Sequence, residues 1–174
     1  MKKAIIDWKL ALLIVGAASI STIFIGCSSS APAVATDSKY VLKEEPAGVT
    51  DVLKIKSDAN DQDDVVVVGR VGGSENPWTG GVAAFSIVDR SLTSCNEMEG
   101  DTCQTPWDYC CEADRPKATV LVKFVDDSGK VVKEDARRLL NLKELQTVVI
   151  KGKAIRDDAG NVSIAASGIH VRDN

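Results

Sequence analysis

Histidine is all but missing from this sequence: His170 is the only one among 174 residues. The side chain that most often moves protons at neutral pH is therefore nearly unavailable for catalysis. No nucleophile with an adjacent base stands out, no glycine-rich loop is built to cradle a phosphate, and no metalloprotease helix is present. The redox-active spacing Cys-x-x-Cys is absent too. Nor is there an excess of positive charge. The chain holds 21 basic and 25 acidic residues, and setting aside Lys2, Lys3, Lys9 and Asp7, which precede Cys27, leaves 18 against 24. An acidic domain repels phosphate backbones at long range, so no nucleic-acid partner is expected. No internal repeat appears.

What the sequence does have is one long apolar run, placed at its beginning. Met1-Lys2-Lys3 is positively charged, and from Leu10 to Gly26 the chain carries no charge and is mostly Leu, Ile, Val, Ala and Phe. This is the shape of an export signal, residues 1–26. The run ends in Phe24-Ile25-Gly26-Cys27, followed by Ser28-Ser29-Ser30 and Ala31-Pro32-Ala33.

Those residues resemble the lipobox of bacterial lipoproteins, in which a small residue directly precedes a cysteine that becomes the lipidated N-terminus. Phe24 stands where that pattern usually has an aliphatic residue. The resemblance implies lipidation at Cys27 and a membrane-anchored protein of the cell envelope. Ser28, where a retention signal would usually show Asp, implies outer-membrane placement in a cell with two membranes. Two other readings fit the same residues. The apolar span is close to the roughly 20 residues that cross a bilayer and would serve as an uncleaved anchor, or Cys27 is a bystander to a plain secretory signal. All three put the mature chain outside the cytoplasm.

Residues 27–62 read as tether, being small and polar with Pro32, Pro46 and Gly48. Within them Val49, Val52, Leu53 and Ile55 fall at helical spacing and suggest one short helix. The ordered domain is expected over residues 63–174, about a hundred residues, which is enough to fold alone but with little to spare. Val65-Val66-Val67-Val68-Gly69-Arg70-Val71 is a β-branched run that reads as a strand buried on both sides, with a bulge or sharp coil at Gly69. Gly72 to Pro77 reads as a loop, Val82 to Asp89 as a second strand, and Ala118 to Val125 as a third. Lys133 to Leu145 changes to a helical period through Ala136, Leu139, Leu140, Leu142 and Leu145. Thr147 to Ala154 and Val162 to Val171 complete the strands, joined by the Asp157 to Asn161 hairpin loop.

Three strands, a short helix and two more strands, with a glycine interrupting the first strand, resemble the OB-fold. The segments Val-Val-Val-Val-Gly-Arg-Val and Val-Val-Ile-Lys-Gly-Lys look like its first and fourth strands. The resemblance implies a mostly β fold: a small five-stranded Greek-key barrel with one short helix, here carrying a cysteine-rich loop insertion.

That insertion, residues 91–116, lacks apolar periodicity and holds Cys95, Cys103, Cys110 and Cys111. An even number of cysteines outside the cytoplasm ordinarily means disulfides. A bridge between the neighbours Cys110 and Cys111 would strain the peptide between them. That leaves Cys95–Cys110 with Cys103–Cys111, or Cys95–Cys111 with Cys103–Cys110, each closure contributing about 2–3 kcal/mol. Four thiolates in one loop would alternatively hold Zn²⁺ or Cu(I), although the gaps of seven, six and no residues between them depart from the paired spacing of structural zinc sites. A redox-active thiol pair is the third reading. Glu97, Glu99, Asp101, Asp108, Glu112 and Asp114 make the insertion acidic, without the residue order of a calcium loop. Two Pro-Trp pairs end in Trp78 and Trp107, and with Tyr109 these rings would either cover the insertion or form a platform for a sugar or peptide.

Taken together, the residues point to a protein that is not an enzyme and takes no cofactor. It is expected to be an envelope lipoprotein whose barrel face or Trp-bearing loops bind a protein, a peptide or a glycan. The competing class is a metal-handling or redox accessory protein that uses the four loop cysteines.

Overall fold

The computed structural model describes residues 38–173. The leader and Cys27, on which the export and lipidation expectations rest, lie outside the described residues. Among the described residues no helix is long and apolar enough to cross a membrane.

The elements in chain order are β1 (Thr50–Asp51), α1 (Val52–Asp58), β2 (Asp64–Val71), β3 (Trp78–Thr79), β4 (Ala84–Val88), α2 (Arg115–Ala118), β5 (Thr119–Phe124), α3 (Ala136–Leu140), β6 (Thr147–Arg156) and β7 (Val162–Val171). Five of the strands form a ring. β2 pairs antiparallel with β6, β6 with β7, β7 runs parallel to β5, β5 is antiparallel to β4, and β4 returns to β2 through Arg70 opposite Val88 and Val71 opposite Ile87. This is a closed, small OB-like barrel, as the element order suggested, with β1 and β3 added at its margins.

Alternation along each strand fills the barrel. Val65, Val67 and Val71 of β2, Phe85 and Ile87 of β4, and Val120, Val122 and Phe124 of β5 point into one core, where Phe85 and Phe124 stack with centroids 6.2 Å apart. Gly69 has no space for a side chain: a Cβ there would lie 2.8 Å from the Val88 carbonyl oxygen. Its role is close approach of β2 to β4 where the ring closes, and the β2–β6 register runs through it without a break. The bulge falls instead between Lys151 and Gly152 of β6, where a Cβ on Gly152 would meet the Ala165 oxygen at 2.3 Å.

Two sequence expectations need correction. The segment read as tether is packed into the domain from Tyr40 onward. Tyr40 is buried edge-on against Phe124 and its hydroxyl donates to the Val125 carbonyl. Val41 bridges Ile169 of β7, and Val52 and Ile55 of the anticipated short helix enter the main core while Leu53 faces solvent. Gly48, which looked like a linker residue, bends the chain with φ 81° within this folded strap. The helix expected over Lys133 to Leu145 covers only Ala136–Leu140, starting at Asp135, whose carboxylate accepts from the Arg137 N–H. Asn141 ends it by adopting the left-handed conformation (φ 51°), which swings Leu142 into the core. The loop read over 72–77 is present as expected, and β3 follows directly after it with Trp78 opposite Phe85.

Candidate functional site

The insertion between β4 and β5 is built on a small core of its own. Val88 from β4, Leu92, Tyr109 and Ala118 are all buried together, with Leu145 packed against them. Two single turns of 3-10 helix, Cys95–Glu97 and Pro106–Asp108, shape the rest. The first is started by a reciprocal capping box: Glu97 accepts from the Ser94 N–H while the Ser94 side chain faces the Glu97 backbone. Arg70 of β2 binds the same Glu97 carboxylate at 2.7 Å, so the turn is tied to the barrel wall. The second turn has Pro106 at its start, where a missing N–H costs nothing. It ends at Tyr109 in the left-handed conformation (φ 57°). Arg115 holds it through the Asp108 carbonyl and carboxylate.

The insertion is also fastened to the loop that follows β2. Gly73 N–H donates to the Trp107 carbonyl at 2.8 Å, and the Trp107 indole N–H donates to the Glu75 carbonyl at 3.0 Å. Gly72 permits this contact, because a Cβ there would stand 2.5 Å from the Trp107 oxygen.

These placements decide what the aromatic residues do. Trp78 lies in the barrel core at 7% exposure, its indole N–H donating to Glu144 at 2.6 Å and the Arg137 guanidinium 5.7 Å from its ring. Tyr109 is fully buried, and its hydroxyl has no hydrogen-bond partner among the described residues. Trp107 is half-buried against the β2–β3 loop. The three rings therefore do not form an exposed platform; alternation put Trp78 inward, and the insertion's own core claimed Tyr109.

The four cysteines, by contrast, do come together. Cys95 is buried, Cys103 half-buried, and Cys110 and Cys111 exposed. The Cys95 Sγ lies 3.7 Å from the Cys110 Sγ, and the Cys110 and Cys111 Sγ atoms are 4.0 Å apart. The sulfurs of Cys95, Cys110 and Cys111 all fall within 4.8 Å of one another, and Cys95 forms a second such trio with Cys103 and Asp101. No pair among these four sulfurs sits at bonding distance. His170 joins neither trio; it lies half-buried on β7 with its Nδ1 3.3 Å from the Leu42 carbonyl oxygen.

No family model matches this chain. No curated protein matches it either. Among solved structures, one similar chain is described as a candidate aspartyl-tRNA synthetase from Leishmania major Friedlin. The similarity covers 75% of this chain and 21% of that one at 10% identity, with a TM-score of 0.42. The chain thus spans about a fifth of that protein's length, and a likeness this distant carries no argument about activity.

The electrostatics of the thiols follow from their crowding. Cys110 is pushed up to about 12 because the Cys95 and Cys111 thiols beside it hold its proton. Burial pushes Cys95 up as well, but hydrogen bonds from the Cys110 thiol and from the backbone of Cys110 and Cys111 outweigh it, and Cys95 settles below the ordinary thiol value. The sequence signalled the four residues; what it hid was the left-handed turn at Tyr109, which brings the two neighbouring cysteines to Cys95.

Proposed function

We propose that the chain is a non-enzymatic module of the cell envelope, tethered to a membrane by a lipid on Cys27, whose cysteine insertion binds a protein or peptide partner. The observation that carries this reading is the way the insertion is held. About thirty residues with almost no regular structure are ordered by a private core and tied to the barrel wall and to the β2–β3 loop. Long ordered loops on a rigid scaffold are characteristic of recognition elements. The insertion's outer surface carries exposed Glu99, Asp101 and Asp114, which favours a partner with a basic patch. A glycan is the weaker choice, because Trp78 and Tyr109 are packed away from solvent.

Crosslinking the full chain in intact envelopes tests this reading. The wild-type protein is expected to capture a basic partner that the double variant Glu99→Lys, Asp114→Lys loses. Capture of the same proteins by both forms would refute the insertion as the binding element. The mass of the mature N-terminus checks the tether separately: an acylated Cys27 is expected, and an unmodified one removes it.

A further inference from the structure

We infer that the insertion is a binding site for one thiophilic d¹⁰ cation, Zn²⁺ or Cu(I), held by the thiolates of Cys95, Cys110 and Cys111, with Cys103 beside Cys95 as the fourth sulfur. The inference stands apart from the partner proposed above and rests on the arrangement of the sulfurs and of the backbone that carries them.

Two disulfides need two separate close pairs. The groups here are organised differently: the sulfurs of Cys95, Cys110 and Cys111 form one trio, and the sulfurs of Cys95 and Cys103 with an Asp101 carboxylate form a second that shares Cys95. A hub of this kind suits a central ion. Metal–sulfur bonds of about 2.3 Å in a tetrahedral site place neighbouring sulfurs about 3.8 Å apart. The Cys95–Cys110 and Cys110–Cys111 separations of 3.7 and 4.0 Å bracket that value.

The backbone supports the same assignment. Side chains of adjacent residues tend to diverge, yet the left-handed Tyr109 and the turn after it direct both Cys110 and Cys111 toward one buried sulfur. Cys95 itself is fixed by the capping box and by the Arg70–Glu97 pair, so the deepest ligand is preset while the two exposed ligands leave a path for the ion. Soft sulfur donors select soft cations over calcium or magnesium, and each thiol that binds releases its proton to solvent. Among the described residues Asp101 is the only carboxylate grouped with these sulfurs, and as a hard donor it would serve zinc better than Cu(I).

The test uses the full chain, expressed with its leader, extracted from membranes in detergent without chelator and with thiols alkylated at lysis. One equivalent of zinc or copper is expected by native mass spectrometry, with the four loop thiols protected until a chelator is added. For the metal-free chain, addition of Co²⁺ should produce thiolate charge-transfer absorption in the near ultraviolet, and titration with Zn²⁺ or with Cu(I) against a competing chelator identifies which ion the site prefers. Cys111→Ser should weaken binding more than about tenfold, and Cys103→Ser should weaken it as well while Asp101→Asn leaves it unchanged; the reverse order would remove Cys103 from the site. Because Cys95 is buried and its replacement could disturb folding, the metal-stripped wild type serves as the control, its fold checked by near-ultraviolet circular dichroism. Two disulfides in the freshly extracted chain, without metal, would overturn the site, as would metal-free thiols that bind neither ion.

Discussion

At the scale of single residues, Asp89 joins two parts of the fold outside the barrel core. It is 2% exposed and stands at the end of β4, where the insertion begins. Its carboxylate accepts from the Leu53 N–H at 2.8 Å and the Ser91 N–H at 3.0 Å, joining the start of α1 to the start of the insertion. Burial by itself would push Asp89 up, but those N–H groups and the neighbouring Arg90 hold it below its ordinary 3.8. A carboxyl whose value is lower in the folded than in the unfolded chain binds its proton more readily when unfolded. Its stabilisation is therefore complete above the unfolded value and disappears as pH falls through the folded one. Asp89→Ala should cost about 1.5–3 kcal/mol near neutral pH. The difference from wild type, read from urea midpoints, should shrink as the solution is acidified below pH 3.8. A difference that stays constant to the lowest pH would show that the loss comes from packing and not from the charge.

At the scale of elements, the insertion is held by few interactions, and Glu97 carries two of them. It closes the capping box on Ser94 and receives Arg70 from the barrel. Loss of a cap of this kind costs about 1 kcal/mol. Because the insertion has its own core, that cost should fall on local opening more than on the barrel. Glu97→Ala is therefore expected to speed exchange of the Ser94 amide about fivefold and to expose the insertion to protease, while barrel amides keep their protection. Glu97→Gln, which retains an acceptor for the Ser94 N–H, should lie between the two. Equal acceleration across the barrel and insertion would mean that they open as one unit. The same contrast explains what the sequence could tell. Val65 to Val71 and Thr147 to Ala154 read as strands because alternation and β-branching are local properties. The packing of Tyr109 on Val88 and Ala118, and the tie from Trp107 to Gly73 and Glu75, depend on partners far along the chain, and no local period announces them. Trp78 is the sharpest case: a Pro-Trp pair beside glycines suggests a loop, but pairing with β4 turns its ring inward.

At the scale of the whole molecule, the barrel leaves part of β7 unpaired on one side, and the first described residues complete it. β5 runs beside β7 only from Ser163 to Ala166, and Tyr40 to Leu42 take over at Ile169, with Leu42 N–H donating to the Ile169 carbonyl at 2.7 Å and Ile169 N–H to the Tyr40 carbonyl at 2.8 Å. Farther along, β1 adds parallel to β2, and α1 sends Val52 and Ile55 into the core. Arg172 clamps the strap from the other end with two hydrogen bonds to Glu45. A chain that began at residue 63, where the strand-rich sequence starts, would lose Tyr40, Val52, Ile55 and Ala59 from the core. At about 2 kcal/mol for each large apolar side chain, that loss is comparable with the whole stability of a small domain, about 5–15 kcal/mol. The chain from residue 38 should therefore unfold cooperatively in urea, whereas the chain from residue 63 should show no cooperative transition and should bind a hydrophobic dye. Adding residues 38–62 as a separate peptide should restore part of the fold, because the strap docks through an edge of β7, a parallel pairing on β2 and a short apolar helix face. If the shorter chain unfolds with the same midpoint as the longer one, the strap is an accessory and the barrel closes without it.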